Sequence, residues 1–378
     1  MNTKVVVFGL STEGYDLACK IALNGGDVQI IDESTPSAII IKPDIVKSYP
    51  NIQLLKDDEP LLSMVPIDVA ISKAQYLFFA PRLRKTGQDI KTELNSKFKD
   101  AVSKIKKGCS VVYCLGTGFG GNSENTLLLE HVTGLKTGKN VSYFYYPLSK
   151  LEEIPSFIGS YNGEVDERLV KLLSLGKTTK FVAIKTSEHL HAINTLKHFS
   201  ETTCILEVCK FAKDTNTKSD LNLNDLNEIY LDKMVDSLFD LRSLGNSFEG
   251  ASSMMYLING SLKGVDGYIK KLIDEIRIVL KKKELKASRT KIVLFWSLDT
   301  YEMKGEKHEK LDELETKLKD YISDVESIQD HKNIFQNDKT TIIVTCSKSD
   351  YNSISKLKSD DQVIIIKANP LCEICTQK

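Results

Sequence analysis

The sequence predicts an α/β protein: an N-terminal Rossmann-type parallel sheet, a central helical block and a smaller C-terminal Rossmann-like α/β domain. Three observations point there. Short, nearly continuous apolar runs such as Lys4-Val5-Val6-Val7-Phe8 suit strands buried on both faces. Glycine-rich turns follow two of them, at Gly9–Gly14 and Gly116–Gly121. Between them and the C-terminal strands lie three stretches with helical spacing, Ser187 to Lys213, Asn224 to Arg242 and Gly264 to Lys283.

The first thirty residues are the most informative. The run ending at Phe8 enters Gly9-Leu10-Ser11-Thr12-Glu13-Gly14, then an amphipathic helix from Tyr15 to Asn24 with Leu17, Ala18, Ile21 and Ala22 on one face. Gly25-Gly26 stops that helix, and Val28-Gln29-Ile30-Ile31 forms a second strand closing on Asp32. Strand, glycine turn, helix, strand and acidic residue make the first half of a dinucleotide-binding unit. The helix start favours a pyrophosphate, and Asp32 would accept the ribose hydroxyls of NAD and repel the 2′-phosphate of NADP. Two residues depart from the pattern. Ser11 replaces the middle glycine, setting a side chain where the cofactor backbone comes closest. Glu13 puts a carboxylate beside the pyrophosphate site, a repulsion of roughly 4 kcal/mol at ~4 Å and an effective dielectric of ~20.

Beyond Asp32 the spacing predicts a weak strand at Asn51 to Leu55, a helix or loop over Pro60 to Ile71, and a strong strand at Gln75 to Ala80 stopped by Pro81. A helix over Asp89 to Lys106 follows, then a strand at Cys109 to Leu115, the second glycine-rich loop, a helix at Asn125 to Thr133, and a last strand at Val141 to Tyr146. In the C-terminal part Lys291 to Phe295, Thr341 to Cys346 and Val363 to Lys367 read as strands, with a helix at Lys310 to Ile322. The implied domains are 1–184, 185–287 and 288–378.

The 378 residues suffice for two or three domains, and 51 basic against 51 acidic residues give no argument for nucleic acid or an anionic membrane as partner. No apolar run reaches the ~18 residues of a membrane span, and Met1 leads directly into a strand, so no signal peptide is expected. The eight cysteines are scattered in apolar segments, which suits a reducing, cytoplasmic compartment. Cys372 and Cys375 form a lone CxxC with no second pair, so no metal site is expected there.

Residues 1–150 resemble the nucleotide-sugar 6-dehydrogenases, the family of UDP-glucose and GDP-mannose dehydrogenase. The resemblance rests on Phe8 to Gly14, on Ala74 to Pro81, and on Lys107 to Pro147 with its His131-Val132-Thr133-Gly134-Leu135-Lys136 phrase. Over 185–378 it is a pattern of elements. It implies an NAD domain, a helical core forming a homodimer, and a nucleotide-sugar domain. It further implies two hydride transfers through a cysteine-bound intermediate, which needs a thiolate, a cation at the oxyanion and a carboxylate. Carried onto this chain, the cysteine falls on Ser252, the lysine and aspartate after it on Met255 and Tyr256, the catalytic lysine on His191 and the asparagine on Thr195, with Glu207 as the anchor of that alignment. The glutamate after the strand-ending proline falls on Leu148, and the sugar-nucleotide grip on Leu298-Asp299 and an acidic patch near Glu306.

The scaffold phrases are therefore kept and the reactive residues exchanged. The cofactor-binding candidates are Gly9, Leu10, Ser11, Thr12, Glu13, Gly14, Asp32, Pro81 and Thr117, with NAD as cofactor; Ser252, His191 and Thr195 stand at catalytic positions, and no metal is expected. Local chemistry gives His191 and Ser252 bland roles as well. His189 and His191 point to different faces of a helix, and Ser252 and Ser253 suit a helix cap. Three readings follow: a silent protein that binds NAD or a nucleotide sugar, an active NAD oxidoreductase with His191 as base, or a homodimer with a vestigial pocket.

Overall fold

The computed structural model describes residues 3–84, 89–149, 157–176, 178–215, 229–248, 252–329, 339–356 and 363–370. The Cys372–Cys375 motif lies outside the described residues, as do Glu249 to Ala251 and Asn224. The chain divides into two compact units. Unit 1 comprises 1–195, 242–249 and 299–305; unit 2 comprises 196–241, 250–298 and 306–378.

Unit 1 is built on β1 (Lys4–Phe8), α1 (Thr12–Leu23), β2 (Asp27–Ile31), β3 (Ser37–Ile41), α2 (Pro43–Ser48), α3 (Ile52–Asp57), β4 (Met64–Pro66), α4 (Ile67–Lys73), β5 (Tyr76–Phe79), α5 (Asp89–Val102), β6 (Ser110–Tyr113), α6 (Gly121–Thr133), β7 (Ser142–Tyr145), β8 (Phe157–Ser160), α7 (Glu167–Leu172) and β9 (Lys180–Ala183). The nine strands form one sheet in the order β4-β3-β2-β1-β5-β6-β7-β8-β9. Its centre, β2-β1-β5-β6-β7, is parallel; β3 pairs antiparallel with β2 and β4, and β8 pairs antiparallel with β7 and parallel with β9. Val5, Val7, Phe78, Val111 and Ile158 are wholly buried, in keeping with helices covering both faces of such a sheet. The chain leaves β1 in one direction to β2 and in the other to β5, so the strand order reverses beside β1. Open α/β sheets bind ligands at the carboxyl ends of strands at such a point.

Helix α8 (Ile184–Asp214) follows, then α9 (Leu231–Val235), α10 (Leu238–Gly245) and α11 (Ser253–Lys282). Unit 2 adds β10 (Thr290–Phe295), α12 (Glu306–Lys319), β11 (Val325–Ile328), β12 (Thr340–Thr345), α13 (Lys348–Ser355) and β13 (Val363–Lys367), with an all-parallel sheet in the order β11-β10-β12-β13. Val293, Phe295, Ile343, Ile354 and Val363 form its core.

Several elements differ from the sequence expectation. Asn51 to Leu55 belongs to no strand; Asn51 caps α3, its side chain accepting the Leu54 N–H at 3.0 Å, and Ile52 and Leu55 bury one helical face. Pro60 to Ile71 holds both β4 and the start of α4. Val141 to Tyr146 is followed in the same sheet by β8 and β9, two short strands whose four residues each give little periodicity. The described part of the helix expected up to Arg242 is broken at Ser237, which has a φ of +66°. There the buried Glu306 carboxylate accepts N–H groups from Ser237 at 2.7 Å and Phe239 at 2.6 Å, which starts α10. Helix α11 begins eleven residues before Gly264, because Ser252 caps it.

Candidate functional site at the mouth of the unit 1 sheet

Gly9 turns the chain off β1 with a φ of +118°, and a Cβ there would lie 2.2 Å from the Ala80 carbonyl oxygen and 2.5 Å from the Cα of Pro81. The ends of β1 and β5 thus meet at a glycine against buried Pro81. A Cβ on Gly14 would lie 2.6 Å from the Gly9 carbonyl oxygen, so α1 packs directly on the turn. Leu10 and Ser11 are buried. Ser11 corrects the sequence reading: its side chain turns into the protein, with Oγ accepting the Gly14 N–H at 3.0 Å and donating to the Ala80 carbonyl at 3.1 Å. It caps α1 and ties it to β5, rather than facing a cofactor.

The next donor along is used from far away in the chain. Thr12 N–H donates to the Tyr301 carbonyl at 2.8 Å, and the Glu13 carboxylate accepts the Met303 N–H at 2.8 Å. Leu83 N–H donates to the Met303 carbonyl at 2.8 Å, and the Arg82 guanidinium lies 5.1 Å from the centre of the Tyr301 ring. Glu13 therefore has a structural partner. Residues 299–305, assigned by sequence to the C-terminal domain, sit in unit 1 against the glycine turn. No local pattern announces this, since the bonded residues stand 290 positions apart.

Asp32 follows β2, at the acidic position of a dinucleotide fold. Its Oδ1 accepts from Ser34 N–H at 2.9 Å and Ser34 Oγ at 2.7 Å, and its Oδ2 lies 2.5 Å from Lys56 Nζ. Lys56 also pairs with Glu59 at 2.7 Å. Burial works to raise the Asp32 pKa, but the Lys56 ammonium and the Ser34 donors outweigh it and hold the carboxyl below its ordinary value. Sequence reading missed Lys56 because α3 was expected as a strand; once the helix is allowed, Lys56 lies one turn beyond the buried Ile52. Leu10, Asp32, Ser34, Lys56, Arg82 and Tyr301 surround a cavity of about 170 Å³.

The second glycine-rich loop is filled by a charge. Glu188 is buried at 4% exposure, and its carboxylate accepts from Gly120 N–H at 3.1 Å, Asn122 N–H at 3.0 Å and Asn122 Nδ2 at 2.9 Å, which supplies the anion that the start of α6 favours. Thr117 is half-buried; its Oγ1 donates to the Gly118 carbonyl at 3.1 Å and accepts from Asn122 Nδ2 at 3.0 Å.

The residues at the resemblance's catalytic positions have structural settings. His191 stands on α8 with its ring edge-on to Tyr145, centroids 6.1 Å apart, and Thr195 is buried one turn later. Ser252 belongs to unit 2, and its Oγ accepts the Met255 N–H at 3.2 Å as the cap of α11. Tyr256 and Glu207 are exposed, and Glu306 is the buried cap of α10 described above. In unit 1 the described thiols are Cys19, Cys109 and Cys114; burial raises all three, Cys19 to about 11, Cys109 to about 12 and Cys114 well above the ordinary range. None of the three ionises appreciably near neutral pH. Among the described residues no group of three His, Cys, Asp or Glu side chains is placed to hold a metal ion, and no helix is long and apolar enough to cross a membrane.

No protein-family model matches the sequence, and no curated protein does. Solved structures do. The UDP-D-ManNAc dehydrogenase from Pyrococcus horikoshii superposes with a TM-score of 0.66 at 16% identity, over 98% of this chain and 96% of its own. The UDP-glucose dehydrogenase from Pyrobaculum islandicum gives 0.63 at 13% identity, over 98% and 94%. The UDP-N-acetyl-mannosamine dehydrogenase from S. aureus gives 0.61 at 12%, over 98% and 99%. The chain has the fold of the nucleotide-sugar dehydrogenases, at an identity that speaks for fold alone.

Proposed function

We propose that this protein is a catalytically silent relative of the nucleotide-sugar dehydrogenases that binds NAD or a related nucleotide at the mouth of its unit 1 sheet. The observation that supports this most directly is the division of labour at the site. The frame of β1, glycine turn, α1, β2 and Asp32 is in place, with Ser11 where the pattern has its middle glycine. The side chains at the reactive positions instead serve as caps and packing: Ser252 on α11, His191 against Tyr145, Thr195 in the interior. Among the described residues the Ser252 hydroxyl is bonded to a backbone N–H and to no base that would make it a nucleophile, and the described unit 1 thiols are pushed toward the neutral form.

Thermal-shift titration tests the reading, because a ligand of the native state raises apparent stability by mass action. NAD or ADP is expected to raise Tm saturably, with no NADH formed from UDP-glucose or UDP-N-acetylmannosamine. NADH production from either sugar nucleotide would overturn it and favour an active oxidoreductase.

A vestigial pocket is the second reading, favoured by one observation: the Asp32 carboxylate is already bonded by Ser34 and Lys56. No shift at millimolar NAD would establish it. Under either reading we propose a homodimer in the cytoplasm. Exposed apolar side chains on the central helices, Val208 and Phe211 on α8 and Tyr256 and Leu257 on α11, support the dimer. Light scattering that gave a monomer mass would refute it.

A further inference from the structure

We propose that residues 299–305 form an internal strap that competes with the dinucleotide for the glycine turn, so that NAD enters only as the strap withdraws. This rests on the nucleotide-binding reading above and adds to it how access is controlled.

The argument begins with donors. A dinucleotide fold holds pyrophosphate on the backbone N–H groups that open the first helix. Here the Gly14 N–H is spent on Ser11 Oγ, and the Thr12 N–H on the Tyr301 carbonyl at 2.8 Å. A phosphate oxygen approaching Thr12 meets that carbonyl oxygen, one acceptor against another, and both cannot hold the same hydrogen atom. The strap also engages the turn's acidic residue, since the Met303 N–H is donated to the Glu13 carboxylate.

The strap is shaped for this position. Asp299 starts a tight turn, with its Oδ1 accepting the Tyr301 N–H at 2.8 Å and its carbonyl accepting the Glu302 N–H at 3.3 Å, which aims the Tyr301 carbonyl. Met303 is wholly buried, its carbonyl bonded to the Leu83 N–H just beyond β5. Gly305, with a φ of +66°, ends the segment in a conformation that a residue with a Cβ resists.

Size supplies an independent argument. The cavity beside Asp32 is about 170 Å³, well under the roughly 300–1,000 Å³ of typical ligand pockets. Tyr301 is one of its walls, pinned beneath Arg82. Withdrawing Tyr301 enlarges the cavity and frees the Thr12 N–H in one movement. Among the restraints on the strap are neutral hydrogen bonds, one bond to a carboxylate, one cation–π contact and the buried Met303 side chain. A ligand bringing two phosphates and an adenosine can offset these.

The test uses the full chain with NAD as probe. Hydrogen–deuterium exchange is followed on peptides covering 80–84 and 299–305, and NAD affinity is measured by calorimetry on wild type and Tyr301→Gly. The expected result is slow exchange of both peptides without NAD, at least tenfold faster exchange of 299–305 with NAD bound, and at least tenfold tighter NAD binding by Tyr301→Gly. NAD bound while 299–305 stays protected, or equal affinity in a folded Tyr301→Gly, would overturn the strap and leave the nucleotide reading intact. If neither protein binds millimolar NAD while both retain wild-type circular dichroism, the nucleotide reading falls and the strap with it.

Discussion

Helices α1 and α6 both start at glycine-bearing turns after buried strands, and both starts are satisfied from within the chain, by different chemistry. At α1 the acceptors are the Ser11 hydroxyl and the backbone carbonyl of Tyr301. At α6 a buried carboxylate, Glu188, takes three donors at once. Exchanging a neutral carbonyl for a phosphate oxygen forfeits about 0.5–1.5 kcal/mol, whereas bonds to a charged group are worth about 1.5–3 kcal/mol each. Any phosphate at α6 would also face the Glu188 charge. A helix start whose N–H groups already hold a buried carboxylate has no room for a second anion, which sets α6 apart from α1.

Substitutions can break or sharpen this contrast. The largest effect is expected from Gly9→Ala, which forces a side chain into a positive φ and against the Ala80 carbonyl oxygen. It should cost about 3–5 kcal/mol by strain and overpacking, read as a lowered urea midpoint. Glu188→Ala should come next, at about 3 kcal/mol, because it orphans buried donors of α6. Glu188→Gln, which retains one acceptor oxygen, should lose about half of that in the same assay. If both variants were as stable as wild type, the charged filling of α6 would have no energetic weight.

Lys56→Met probes the acidic residue of the first turn. Asp32 has a folded pKa below its unfolded value, so its contribution is present above the ordinary carboxyl pKa, about 3.9, and is lost as pH falls through the lowered one. Removing Lys56 should cost about 1 kcal/mol at neutral pH for this partly exposed pair and flatten the stability curve below about pH 4. An unchanged acid limb would show that Ser34 alone holds Asp32. The smallest effect is expected from Glu13→Gln, about 0.5 kcal/mol or less, because the amide oxygen still accepts the Met303 N–H. Chemical denaturation of the pair resolves it.

How much of this was legible follows the range of each contact. β1, the helix after it and β2 were read correctly because an apolar run, a glycine turn and an amphipathic period lie within thirty residues. α3 was misread although Asn51 and the Ile52–Leu55 spacing signal a capped helix, and Lys56 was lost with it. Ser11 was placed at the right position but facing the wrong way, since its partner Ala80 lies 69 residues away. β8 and β9 are too short to show a period.

The sequence by itself determined a strand–glycine–helix–strand unit ending in Asp32, and it put serine, histidine and threonine where the resemblance has its reactive groups. Those are properties of local sterics, periodicity and side-chain identity. Only the tertiary structure decided which distant groups satisfy the helix starts, Tyr301 at α1 and Glu188 at α6, and that Lys56 pairs with Asp32. The physical reason is that a helix start needs hydrogen-bond acceptors whatever the fold, but the sequence near it does not say where they come from.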